Sequence, residues 1–139
     1  MAIDSYVAGL ASLSTPERHR VLEQEPLPAH VGALLDLAVA EAGDRDAWNF
    51  FEGAGPLSYR ELQRSVNRVA NALIHWGVGK GTHVAAMLPN IPEMPTLWLA
   101  LARLGAVMVP VNTRYTAREL RYVVDDADVE FLVVHADHA

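Results

Sequence analysis

The sequence contains no cysteine, which excludes a disulfide framework, a thiolate metal site and a cysteine nucleophile, and fits a reducing compartment. Positive charge is also scarce. Lys80 is the only lysine, and the arginines form no stripe; 11 basic residues against 17 acidic ones leave a net charge of −6. A nucleic-acid surface needs clustered positive charge, so no nucleic-acid partner is expected. No apolar run approaches the ~18 residues that a membrane span requires, so no transmembrane segment is expected. Residues 1–20 carry Asp4 and Glu17 and lack a basic stretch followed by an apolar one, so no signal peptide is read and a cytoplasmic location is expected. Internal repeats and low-complexity tracts are absent. So are a Gly-x-Ser-x-Gly elbow, a His-Glu-x-x-His pair and a Gly-x-Gly-x-x-Gly turn after a strand.

What is present is apolar content at helix and strand periods. Hydrophobic residues make up 51% of the 139, enough for one globular unit with a core. Residues 1–29 read as a separate arm, with Ser14-Thr15-Pro16-Glu17 as a helix start and Pro26 and Pro28 as a stop. A helix is expected over 31–42 with Leu34, Leu35, Ala38 and Val39 on one face. Trp48–Phe51, a turn at Gly53–Pro56 and Leu57 suggest a hairpin. Ser58-Tyr59-Arg60-Glu61 is a capping box opening a helix, whose stripe is Leu62, Val66, Val69, Ala70, Leu73 and Trp76. Gly77 ends it.

From there strands alternate with helices. His83–Leu88 reads as a strand buried on both faces. Asn90 and Glu93 are placed to start a helix that reaches Leu104 and closes at Gly105, with Pro95 in its first turn. Val107–Val111 is the next strand, Thr116-Ala117-Arg118-Glu119 caps a helix to about Asp126, and Glu130–Val134 is the last strand. Such alternation implies βαβ crossovers and a parallel sheet. The fold class is α/β.

Four stretches carry residue types able to do chemistry. Gly77-Val78-Gly79-Lys80-Gly81-Thr82 has the glycines and lysine of a phosphate cradle, but it follows a helix and precedes a strand. A phosphate loop needs strand, loop, helix, so that helix N–H groups face the anion; the stretch therefore reads as a helix stop and turn. His135-Ala136-Asp137-His138 contains metal-ligand types but reads as a frayed tail, since a metal site needs three or four ligands on a fixed scaffold. His19, His30, His75 and His83 are isolated and read as surface or packing residues. Asp125, Asp126 and Asp128 could serve acid–base chemistry or Mg²⁺, yet a solvated turn accounts for them. Arg114, Arg118 and Arg121 are close enough in sequence to meet an anion, with a solvent-facing helix as the plainer reading. No catalytic, cofactor-binding or metal-ligating residue is assigned.

Two blocks go beyond pattern. Leu57-Ser58-Tyr59-Arg60-Glu61-Leu62 with Asn67, Ala70, Leu73 and Gly77 resembles the first conserved block of the adenylate-forming ligases, the AMP-dependent synthetase/ligase superfamily. Leu88-Pro89-Asn90 and Glu93, leading to Leu101-Ala102-Arg103-Leu104-Gly105-Ala106-Val107-Met108-Val109-Pro110-Val111-Asn112, is similar to the second. Thr116–Leu120 and Phe131–Val134 continue the order, so the likeness spans roughly 31–135. Pro110–Tyr115 looks most like AMP-forming acyl-CoA synthetases of the fatty-acid or carnitine-related type.

The resemblance implies the N-terminal portion of the large domain of such a ligase, with an arm over 1–29 and a partial ligase domain over 30–139. It implies a carboxylic acid, ATP, Mg²⁺ and coenzyme A for the full-length parent and no cofactor in this stretch. The Ser/Thr/Gly-rich loop with its lysine, and the lysine of a mobile C-terminal domain, have no counterpart here. The expectation is therefore an N-terminal fragment inactive by itself, prone to self-association through an uncovered sheet face. The alternative is a standalone α/β binding or interaction module derived from such an enzyme. A weaker third reading, an unrelated nucleotide-binding domain, conflicts with the loop order.

Overall fold

The computed structural model describes residues 3–50 and 55–138. Its elements are α1 (Ile3–Ala11), α2 (Thr15–Gln24), α3 (Val31–Ala42), β1 (Asp46–Phe50), β2 (Gly55–Ser58), α4 (Tyr59–His75), β3 (His83–Met87), α5 (Glu93–Leu104), β4 (Val107–Pro110), α6 (Ala117–Asp126) and β5 (Phe131–Val134), followed by a 3-10 turn over Ala136–His138.

The helices begin where polar side chains satisfy their first amides. At α4 the Ser58 hydroxyl accepts the Glu61 N–H at 3.3 Å, and the Ser58 N–H donates to the Glu61 carboxylate at 3.0 Å. Thr116 and Glu119 repeat the exchange at α6. At α5 Asn90 does not cap; Pro92 stands at the N-cap and Pro95 within the first turn, where its missing N–H has no intrahelical partner to lose. Helix ends are equally explicit. Val78 N–H reaches the Leu73 carbonyl and Gly77 N–H that of Ile74, with Gly77 at φ 93°. Ala106 and Gly105 make the same pair of bonds to Leu101 and Ala102, with Gly105 at φ 71°. This six-to-one closure needs a left-handed residue, which glycine adopts without strain.

The core confirms most of the expected faces and corrects two. Leu62, Val66, Ala70 and Leu73 are buried along α4, but Trp76 is 65% exposed. The helix has already turned at Trp76, and buried Val78 closes over Leu73 instead. On α3 Leu35 is buried and Val39 packs on the core, whereas Leu34 faces out. The hairpin also differs. Gly55 and Pro56 belong to strand β2 rather than to a turn, pairing with Phe50 and Asn49; Phe51, Gly53 and Ala54 lie outside the described residues. Helix α1 had no counterpart in the sequence reading.

Strand β3 is the middle of a parallel three-stranded sheet ordered β4-β3-β5. Val84 stands opposite Met108 on one side and Phe131 on the other. Val84, Ala85 and Ala86 are fully buried, because alternate residues meet different layers. Val84 and Ala86 join Leu97, Ala100 and Leu101 of α5 and the buried stripe of α4. Ala85 and Met87 join Leu120 and Val123 of α6. The result is a three-layer α/β sandwich.

A polar contact ties the helical layer together. Arg103 of α5 lies 2.6 Å from the Asp36 carboxylate of α3, which also accepts from Gln63 of α4 at 2.8 Å. The Arg103 guanidinium beside it holds the Asp36 carboxyl below its ordinary range.

Candidate functional site

In open parallel sheets, ligands bind beyond the carboxyl ends of the strands, where strand order reverses. Here the chain leaves β3 for β4 on one side and returns to β5 on the other, so the reversal lies between β3 and β5. A cleft of about 890 Å³ opens there. Its β3 side is Leu88, Ile91 and Pro92; its β5 side is Val133, Val134 and His135; α4 contributes Ser65, Arg68 and Val69.

The cleft is apolar below and polar at its rim. Arg68 donates to the Ser65 hydroxyl at 3.2 Å. Asp137 N–H donates to His135 Nδ1 at 3.3 Å, and the Asp137 carboxylate lies 3.4 Å from the same nitrogen. Thr96 is buried, and its hydroxyl donates to the Pro92 carbonyl of its own first turn at 2.7 Å. The apolar lining with polar groups at the rim suits binding an apolar group with a polar end.

The sequence-derived candidates fall elsewhere, with one exception. Gly77–Thr82 lies at the amino end of the sheet, away from the cleft. There Gly81 N–H donates to the Gly105 carbonyl, and the Lys80 stem lies against Gly105. The stretch is a turn between α4 and β3, and Lys80 is exposed on it. Arg118 borders a groove with Tyr115, Thr116 and Tyr122, Arg121 borders another with Leu120 and Val124, and Arg114 N–H donates to the Asn112 side chain. The three arginines do not converge. Asp128, at φ 47°, forms the turn after α6, and Asp125 and Asp126 are exposed beside it. The exception is His135, which directly follows β5 and lines the cleft with Ala136, while Ala136–His138 form a 3-10 turn rather than a frayed tail. Two other histidines are also more than surface residues. His30 caps α3, accepting the Ala33 N–H at 3.0 Å. His83 donates from Nδ1 to the Ala127 carbonyl at 2.6 Å.

Among the described residues no group of three or more His, Asp or Glu could hold a metal ion. Arg68 and the apolar cleft wall went unnoticed in the sequence because they come from separate segments. The available signal was position: Leu88 and His135 directly follow parallel strands.

The family model of the AMP-binding enzymes matches residues 35–139. The crotonobetaine/carnitine–CoA ligase of Proteus mirabilis is 38% identical over 99 residues, covering 68% of this chain and 19% of that protein. The 3-hydroxybenzoate–CoA ligase of an Aromatoleum species is 40% identical over 87 residues, covering 63% and 17%. A fatty acyl CoA synthetase structure from Mycobacterium tuberculosis superposes with a TM-score of 0.75 at 29% identity, covering 79% of this chain and 22% of that one. The chain thus spans about a fifth of the length of the curated relatives it matches. A family match over 35–139, a parallel βαβ sandwich shared with solved ligases and two acid–CoA ligases as sequence relatives agree: this chain belongs to the AMP-binding enzyme family, and its fold is that of the N-terminal portion of the adenylate-forming ligases.

Proposed function

We propose that this chain supplies the opening βαβ layer of an AMP-forming acid–CoA ligase and has no ligase activity by itself. In the full reaction a carboxylate oxygen attacks the α-phosphorus of ATP and pyrophosphate leaves. The thiolate of coenzyme A then attacks the acyl carbon, forming the thioester and releasing AMP. The observation that carries the reading is the family match across 35–139, joined to acid–CoA ligases as relatives. A fatty or carnitine-related acid is the proposed substrate class, supported by Pro110–Tyr115 and by the crotonobetaine/carnitine relative. Phosphate, Mg²⁺ and thiol handling are assigned to other parts of such a ligase; among the described residues no three or more His, Asp or Glu gather into a ligand group. On this reading residues 1–29 are an arm beside the ligase module of 30–139, and the site of action is the cytoplasm. Among the described residues no helix is long and apolar enough to cross a membrane.

A chimera tests the proposal. The matching N-terminal stretch of the Proteus mirabilis ligase is replaced by this chain, and carnitine-dependent pyrophosphate release is measured. Retained turnover is expected; a folded chimera without it overturns the reading. The 139-residue chain alone is expected to release no pyrophosphate with carnitine, crotonobetaine or a fatty acid, and turnover by it refutes the inactive assignment.

A binding module is the second reading, favoured by the closed core around Val66, Val84 and Leu101, which needs no further chain to be buried. Calorimetry with ATP, AMP and coenzyme A separates the two. Silence supports the ligase layer, and micromolar binding supports the module.

A further inference from the structure

Helices α1 and α2 are tied to each other: the Arg18 guanidinium donates to the Leu10 and Leu13 carbonyls at 3.0 and 3.3 Å. No residue of α2 is buried, and Val21 and Leu22 are exposed near its end. A second apolar surface lies one short link away. A groove of about 290 Å³ between that link and α3 is lined by Pro26, Pro28, Leu34, Leu37 and Tyr59, with Leu34 54% and Leu37 50% exposed. The link keeps the two surfaces apart within one copy. Glu25 is extended, and Pro26 and Pro28 form part of the groove wall, where each holds a fixed φ. Helix α2 therefore departs from the rim of the groove instead of lying in it. Charge follows the same division: Arg20 stands beside Val21 on α2 and Glu41 borders the groove, both exposed. Neither has an ion-pair partner among the described residues.

We propose that the groove on α3 receives α2 of a second copy of this chain, and that the exchange is reciprocal. Val21 and Leu22 of each copy cover Leu34 and Leu37 of the other, and Arg20 meets Glu41 across each of the two contacts. A two-fold contact requires one surface to carry both complementary halves. Residues 20–41 do so: an apolar pair with a base at one end, an apolar groove with an acid at the other. Covering these leucines removes exposed apolar surface from water on both copies at once. The arm precedes the family-matched residues 35–139, so this contact goes beyond the ligase reading.

The test uses the whole chain carrying Leu132→Glu, which takes the 44% exposed leucine of β5 out of any association. Sedimentation equilibrium is expected to show a dimer in this background, lost with Leu22→Glu while circular dichroism shows the fold retained. Arg20→Glu and Glu41→Arg should each weaken the dimer by about tenfold, since two exposed pairs turn from attraction to repulsion. An equimolar mixture of those two variants should recover it, because in the mixed dimer every arm again faces a groove of opposite charge. A Leu132→Glu chain that stays monomeric to high micromolar concentration, as it would if α2 closed on its own groove, overturns the proposal. So does a mixture that associates no more tightly than either charge variant alone.

Discussion

Two backbone positions show how much a single residue decides here. Gly105 holds φ 71° and has the Lys80 stem 3.3 Å from where a Cβ would stand. Gly105→Ala should therefore destabilise by about 1–2 kcal/mol, the strain of a left-handed L-residue, read as a lower urea midpoint with unchanged slope. Asp128 performs the same task with the wrong residue: Val129 N–H closes back on the Val124 carbonyl while Asp128 sits at φ 47°. Replacing it by glycine relieves that strain but adds the entropy of glycine, roughly 0.5–1 kcal/mol. The expected net gain is about 0.5 kcal/mol, and a fall in melting temperature would contradict it. Gly77 and Gly105 were legible as stops because glycine after an apolar stripe has one common meaning. The exposure of Trp76 was not, since an apolar residue at the right spacing looks alike whether or not the helix reaches it.

At the scale of elements, the capping boxes govern acid behaviour. The Ser58 hydroxyl and then its amide hold the Glu61 carboxyl below its ordinary range, and Ser14 does the same for Glu17; for Glu119 the Thr116 amide comes first and the hydroxyl second. A carboxyl depressed in the fold contributes stability that is present above its unfolded value and is lost as pH falls through the folded one. The urea midpoint should thus hold near neutrality and decline below the ordinary glutamate value of 4.5, with Asp36 following at lower pH because its ordinary value is 3.8. Ser58→Ala should lower stability by about 1 kcal/mol at neutral pH and flatten that decline; an unchanged acid profile would count against the cap as its source. These boxes were visible in the sequence as three-residue spacings. The true start of α5 was not, because Asn90 offers cap chemistry while Pro92 imposes the conformation.

For the molecule as a whole, the alternation of strands and helices made the parallel sheet legible, since each apolar run of four or five residues between capped helices has few alternatives. The cleft was hidden because it exists only once β3, β5 and α4 are assembled. One face of the sheet is closed by α4 and α5, whereas α6 covers the other alone and leaves Leu132 44% and Val107 42% exposed. On the proposed reading, that thin cover makes the isolated chain associate. Sedimentation at high micromolar concentration should show a concentration-dependent dimer that Leu132→Glu weakens; a single monomeric boundary throughout would refute it.

The position of β3 also has a consequence for synthesis on the ribosome. This most deeply buried strand is translated before both of its neighbours, so its two hydrogen-bonding edges stay open until β4 and then β5 emerge. At ~5–20 residues per second the wait is on the order of a few seconds. A nascent chain stalled between Met87 and Phe131 presents an unpaired strand to any other polypeptide nearby, which makes that interval the one in which a holding chaperone matters most.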